Sequence, residues 1–131
     1  MCAFVFGAWQ FRKAREVLRV DAIVKATASG RTLYSAHETD TSVFERLYGV
    51  DKDRVKEFIY IRKVISFFYE QFVLHKHGII QESYWVRIEG NVDLFVSTPR
   101  VRDQIVQDLD ADIFDQEFSH FLFERLKEVG R

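Results

Sequence analysis

ISFFYEQFVLHKHGIIQESYWVRIEGNVDLFVSTP, residues 65–99, is the stretch whose reading decides the fold. A long apolar run with helical spacing meets Gly78, passes two isoleucines, and resumes as a second helix led by Tyr84 and Trp85. Thr98-Pro99 then reads as an N-cap followed by proline at the first helical position, where a missing N–H loses no partner. Helix, glycine stop, helix and proline start together describe a helical hairpin with a third helix beside it.

Upstream, the first helix of the pair extends back to residue 52, capped by Asp51, and forward to 77. At about 100° per residue, Phe58, Ile61, Val64, Ile65, Phe68 and Phe72 share one face. The opposite face carries Lys56, Tyr60, Lys63 and Glu70, but also Phe67 and Leu74. Two large apolar residues on a polar face predict a second contact, inside the fold or with a partner. The second helix spans 81–96, with Tyr84, Trp85, Ile88, Val92 and Phe95 as its stripe. Gly90 falls in its interior. Residues 100–108 continue as helix after Pro99. A final helix is expected over 112–129, with Ile113, Phe114, Phe118, Phe121, Leu122 and Leu126 inward and Gly130 as its stop.

Before the hairpin, Ser42-Val43-Phe44-Glu45 matches a capping box, in which the serine hydroxyl and the glutamate satisfy each other's backbone amides. Gly49 ends that short helix. Residues 31–41 show no clear period and read as a connection. Residues 10–28, QFRKAREVLRVDAIVKATA, read as helix, with Phe4, Phe11 and Leu18 seven apart and Gly30 as the stop. The expected fold is therefore all-α: one domain over 1–131 with five or six helices. An apolar and basic N-terminal helix occupies 1–30, and the helical core occupies 42–131.

Composition supports this. The chain has 131 residues, 47% hydrophobic and 15% aromatic, enough apolar surface to offset the entropy of ordering. One proline and six glycines are few turn residues for an all-β domain. Cys2 is the single cysteine, which excludes an intramolecular disulfide and a four-cysteine zinc site. The net charge of −1 gives no global basic field for nucleic acid. Charge is nevertheless uneven. Residues 1–33 hold Arg12, Lys13, Arg15, Arg19, Lys25 and Arg31 against Glu16 and Asp21, and residues 103–131 are acidic. Two surfaces attracting one another, within the fold or between subunits, is the plain reading. A basic segment beside an anionic membrane is the sharper one.

The apolar residues 2–9 are too few to cross a bilayer, which needs roughly 20. They read as an N-terminal helix buried in the fold or a partner, or as the last turns of a longer membrane helix. Phe4, Phe6, Trp9 and Phe11, with Phe67 and Leu74, form the candidate interface. Gly78, Trp85 and Pro99 are assigned structural roles.

Candidate chemistry is sparse. Glu117-x-x-His120 has the spacing of one half of a di-iron carboxylate site, but a second such pair is needed and the chain has none. His75 and His77 lie about 200° apart on a helix, unsuited to a shared metal, and suited to the carbonyl end of the helix dipole. Glu70 interrupts an aromatic run and is a candidate acid–base group only if buried; pairing with Lys63 or another cation is the plainer role. Tyr84 and Trp85 read as core before base-stacking residues. Ser35, His37 and Glu38 show no nucleophile–base pattern. The sequence carries no P-loop, dinucleotide fingerprint or zinc-protease motif. No catalytic residue, metal or cofactor is assigned.

Three segments carry a resemblance: VISFFYEQFVLHKHGIIQESYW (64–85), STPRVRDQI (97–105) and FDQEFSHFLFERL (114–126). They resemble an uncharacterised group of bacterial helical cytoplasmic domains that follow an N-terminal membrane helix. The matching positions are Phe68 and Glu70, Gly78, Ile80 and Glu82, Trp85, then Pro99, Arg102 and Phe118. VFGAWQFRKAREV (5–17) is similar to the exit of a membrane helix. The resemblance implies a helical domain at the inner face of the membrane and brings no established activity. The expected function is thus a non-enzymatic interaction module. It would associate as a homo-oligomer, with a protein partner, or with a membrane through a longer native N-terminus, and not with nucleic acid. The competing expectation is a small helical enzyme or ligand-binding domain using Glu70, Glu117 and His120.

Overall fold

The computed structural model describes residues 2–130, with the side chains of all but residues 2–6 and Tyr48. Six helices follow in order: α1 (Cys2–Thr39), α2 (Ser42–Tyr48), α3 (Lys52–Lys76), α4 (Glu82–Val96), α5 (Pro99–Asp110) and α6 (Gln116–Val129). The protein is all-α, and no strand occurs among the described residues.

Helix α3 is the axis of the molecule, packing against α1, α2, α4 and α5. Its start is fixed locally. Asp51 sits in extended backbone and its carboxylate accepts the Arg54 amide at 3.0 Å, removing one orphan donor of the first turn. Its end is fixed by Gly78, whose φ of 70° lets the chain leave through the left-handed region. The Ile79 amide then bonds back to the Leu74 carbonyl at 2.9 Å.

Ile61, Ile65 and Phe68 of α3 join Trp85, Ile88, Val92 and Val96 of α4, Val101 and Ile105 of α5, and Phe118, Leu122 and Leu126 of α6 in the main core. Aromatic rings knit it together. Phe72 meets Phe118 at 5.4 Å and Phe121 at 5.3 Å between ring centres, and Tyr69 meets Phe118 edge-on at 5.2 Å. A second, smaller core forms where Phe44 of α2 covers Val55 and Ile59, with Tyr34, Val50 and Phe58 at its rim.

Helix α1 lies antiparallel to α3. Glu16 meets His77 at 2.7 Å, Arg31 meets Glu70 at 2.7 Å, and Glu38 meets Lys63 at 3.0 Å. Numbers rising on one helix as they fall on the other define the direction.

Several boundaries differ from those expected. Helix α1 does not stop at Gly30 and residues 31–39 are not a connection: the helix runs on to Thr39. Glycine lowers helix propensity by about 1 kcal/mol and is outweighed here by packing. Arg31, Tyr34 and Glu38 all engage α3, and the Ser and Thr hydroxyls donate to carbonyls four residues back instead of breaking the turn. Thr32 to Ala28 at 3.1 Å and Ser35 to Arg31 at 3.1 Å are examples. The cap of α2 is displaced by one residue. Thr41 is the N-cap, with its hydroxyl donating to the Glu45 carboxylate at 3.2 Å, while Ser42 bonds Asp40. The last helix starts at Gln116, not 112. Asp115 accepts the Glu117 and Phe118 amides, and Asp112 turns the chain at φ 55° just before. Ile113 therefore sits in the break, 45% exposed, instead of facing inward. Gly130 caps α6 at φ −73°, without a left-handed turn.

Candidate interaction surface

The three residues of the competing enzyme reading are not brought together. Glu70 lies in the α1–α3 seam on Arg31. Glu117 is paired with Lys76, and His120 is exposed. Among the described residues no group of three or more His, Cys, Asp or Glu side chains could hold a metal. His75 stacks on Trp85, 4.4 Å between ring centres and 9° from parallel, and its Nε2 lies 2.8 Å from the Glu82 carboxylate. His77 Nδ1 lies 2.7 Å from Glu16. Both rings thus meet carboxylates. Trp85 is buried in the main core while neighbouring Tyr84 points outward. Ser35 donates to the Arg31 carbonyl, His37 packs edge-on against Phe44, and Glu38 pairs with Lys63.

Sequence reasoning missed one polar cluster. Arg62 reaches Asp108 at 2.8 Å and lies over the Phe58 ring, and Gln104 donates to the same Asp108 oxygen at 3.0 Å. Asp108 is buried, and burial pushes its carboxyl above the usual range despite the guanidinium. No local pattern marks a pair 46 residues apart.

The N-terminal half of α1 carries a largely exposed surface. Every residue from Gly7 to Arg15 is exposed. Among the described side chains Val20 is the first buried one of the helix, at 2% exposure. Between these points Phe11 is 65% exposed, Leu18 69%, Trp9 59% and Val17 47%. Phe4 and Phe6 lie outside the residues whose side chains are described. Phe67 is also exposed, with its ring against Phe68, and Leu74 is half-buried. From the Glu16–His77 contact back to Cys2 the helix runs about 20 Å at 1.5 Å per residue, a projecting arm on the bundle.

Charge accompanies the apolar groups. Arg12, Lys13, Arg15 and Arg19 form no ion pair among the described residues, and the one acid between them, Glu16, is held by His77. That hydrogen bond lowers the Glu16 carboxyl below its ordinary range, so it stays ionised. Among the described residues the basic N-terminal side chains do not pair with the acids beyond residue 103. Those acids take Arg62, Lys76 and Lys127 instead.

No helix of the described residues is long and apolar enough to cross a membrane. No family model, curated protein or solved structure matches the chain.

Proposed function

We propose that the protein is a helical interaction module rather than an enzyme, and that the N-terminal half of α1 is its docking element. One observation carries this. Trp9, Phe11, Val17 and Leu18 stand exposed on the same helix whose later half is packed on α3. Burying each such side chain is worth roughly 1.5–3 kcal/mol. A continuous helix that leaves this much apolar surface in water at one end, and is anchored at the other, presents that end to something else. The resemblance to bacterial domains that follow a membrane helix supports a membrane-proximal setting.

Trp9 reports the test directly. In a Trp85→Phe variant it is the remaining tryptophan, and docking moves its emission to shorter wavelength. The emission is followed as protein concentration rises and as phospholipid vesicles are added. A shift in either series, abolished by Phe11→Ser with Leu18→Ser, supports the reading. Emission unchanged in both contradicts it.

A further inference from the structure

Beside the exposed apolar residues lies a groove of about 360 Å³ lined by Arg12, Arg15, Glu16, Arg19 and His77. We infer that this groove receives the phosphate of an anionic lipid headgroup, with Phe11 and Leu18 entering the interface next to it. The inference rests on the docking reading above and names the partner.

The geometry is that of a helix lying along a charged, half-apolar surface. At about 100° per residue, Phe11 and Leu18 fall within roughly 20° of one another around α1, and Arg15 only some 40° away. Arg12, Arg15 and Arg19 fall within an arc of about 60°, so an apolar line and an arginine line run side by side. Arg15 also lies over the Phe11 ring at 5.9 Å. Guanidinium is the cation best shaped for phosphate oxygens, because its planar fork offers two parallel N–H bonds. The three arginines are available for this, since the carboxylate in the groove already has His77. A free phosphate would satisfy the arginines and leave Phe11 and Leu18 in water. A nucleic acid would do the same. A second copy of this arm would bury the apolar line and set arginines against arginines. An anionic bilayer satisfies both lines together, headgroup oxygens to the arginines and the acyl boundary to the rings, as for amphipathic helices that lie in the interface.

The test is cosedimentation of the 131-residue chain with sucrose-loaded vesicles at about 0.15 M ionic strength. One set is phosphatidylcholine, and the other is phosphatidylcholine mixed with phosphatidylglycerol. Each basic residue near an anionic surface strengthens binding roughly fivefold. The variant Arg12→Gln, Arg15→Gln, Arg19→Gln should therefore bind the anionic vesicles about a hundredfold more weakly. Its far-UV spectrum should match wild type, because the three side chains are exposed. Phe11→Ser with Leu18→Ser should also release the protein, and millimolar inorganic phosphate should not. Equal binding to both vesicle sets, wild-type binding by the arginine variant, or displacement by free phosphate would overturn the inference. So would a duplex oligonucleotide binding these arginines while vesicles do not. If vesicles fail but the Trp9 emission still shifts with protein concentration, the lipid inference falls while the docking reading stands.

Discussion

At the scale of single residues, Gly78 and Asp108 are held in ways that make opposite demands. Gly78 has open space where a Cβ would stand, so its φ of 70° is the whole constraint. A β-branched side chain is strained in that region by more than about 1 kcal/mol. Gly78→Val should lower the urea midpoint, and a midpoint equal to wild type would show that the α3–α4 turn tolerates another backbone path. Asp108 is constrained by burial. Its carboxyl is raised because desolvation outweighs Arg62, so the folded protein holds that proton more tightly than the unfolded chain does. The contribution of this group is full below the ordinary carboxylate range and is lost as pH rises through the raised folded value. Asp108→Asn keeps a group that can hydrogen-bond Gln104 and removes the titration. Measured as urea midpoints at successive pH values, the variant should gain on wild type as pH rises through the raised folded value. A difference between variant and wild type that stays constant with pH would mean that folding leaves the Asp108 carboxyl unshifted, and one that moves against the variant as pH rises would mean that Arg62 holds it ionised.

At the scale of elements, the phase of α3 decides which residues hold the bundle. Phe68 is 6% exposed among α4 and α6 residues, whereas adjacent Phe67 is 40% exposed. Phe68→Ala should cost about 3–5 kcal/mol through lost transfer energy and the cavity left behind. Phe67→Ala should cost much less, and equal losses at the two positions in urea titrations would show the helix rotated from the phase described. This phase could be read in the sequence because six apolar residues repeat along one long helix. The caps at Asp51 and Gly78 could be read for a similar reason: the groups they satisfy lie within a few residues. The continuation of α1 through Gly30 could not. Its partners, Glu70, Lys63 and Arg62, lie more than 20 residues away and appear only after α1 folds back on α3. Ile113 misled for a related reason. The Asp115 cap competes with helical phase over residues 112–115 and wins by satisfying two amides.

At the scale of the whole molecule, the protein divides into a packed bundle and a projecting arm. The bundle comprises α2 to α6 with the later half of α1, tied by two apolar cores and the ion pairs of the α1–α3 seam. The arm is apolar and basic, with Trp9, Phe11, Leu18 and its arginines exposed. The candidate surface was legible in part: Trp9 and Phe11 stood out as apolar residues in a basic segment. The groove that His77 completes was not, because that residue is 61 positions from Glu16. If the division is right, the arm contributes to docking and little to folding. The most direct test is deletion of residues 1–15, the exposed stretch before the Glu16–His77 contact, followed by urea unfolding of the monomer with association measured alongside. The truncated chain should show a cooperative transition at the wild-type midpoint, a helical far-UV signal reduced only by the residues removed, and weaker association with copies of itself or with vesicles. A truncated chain that unfolds as a monomer would instead place the arm in the core.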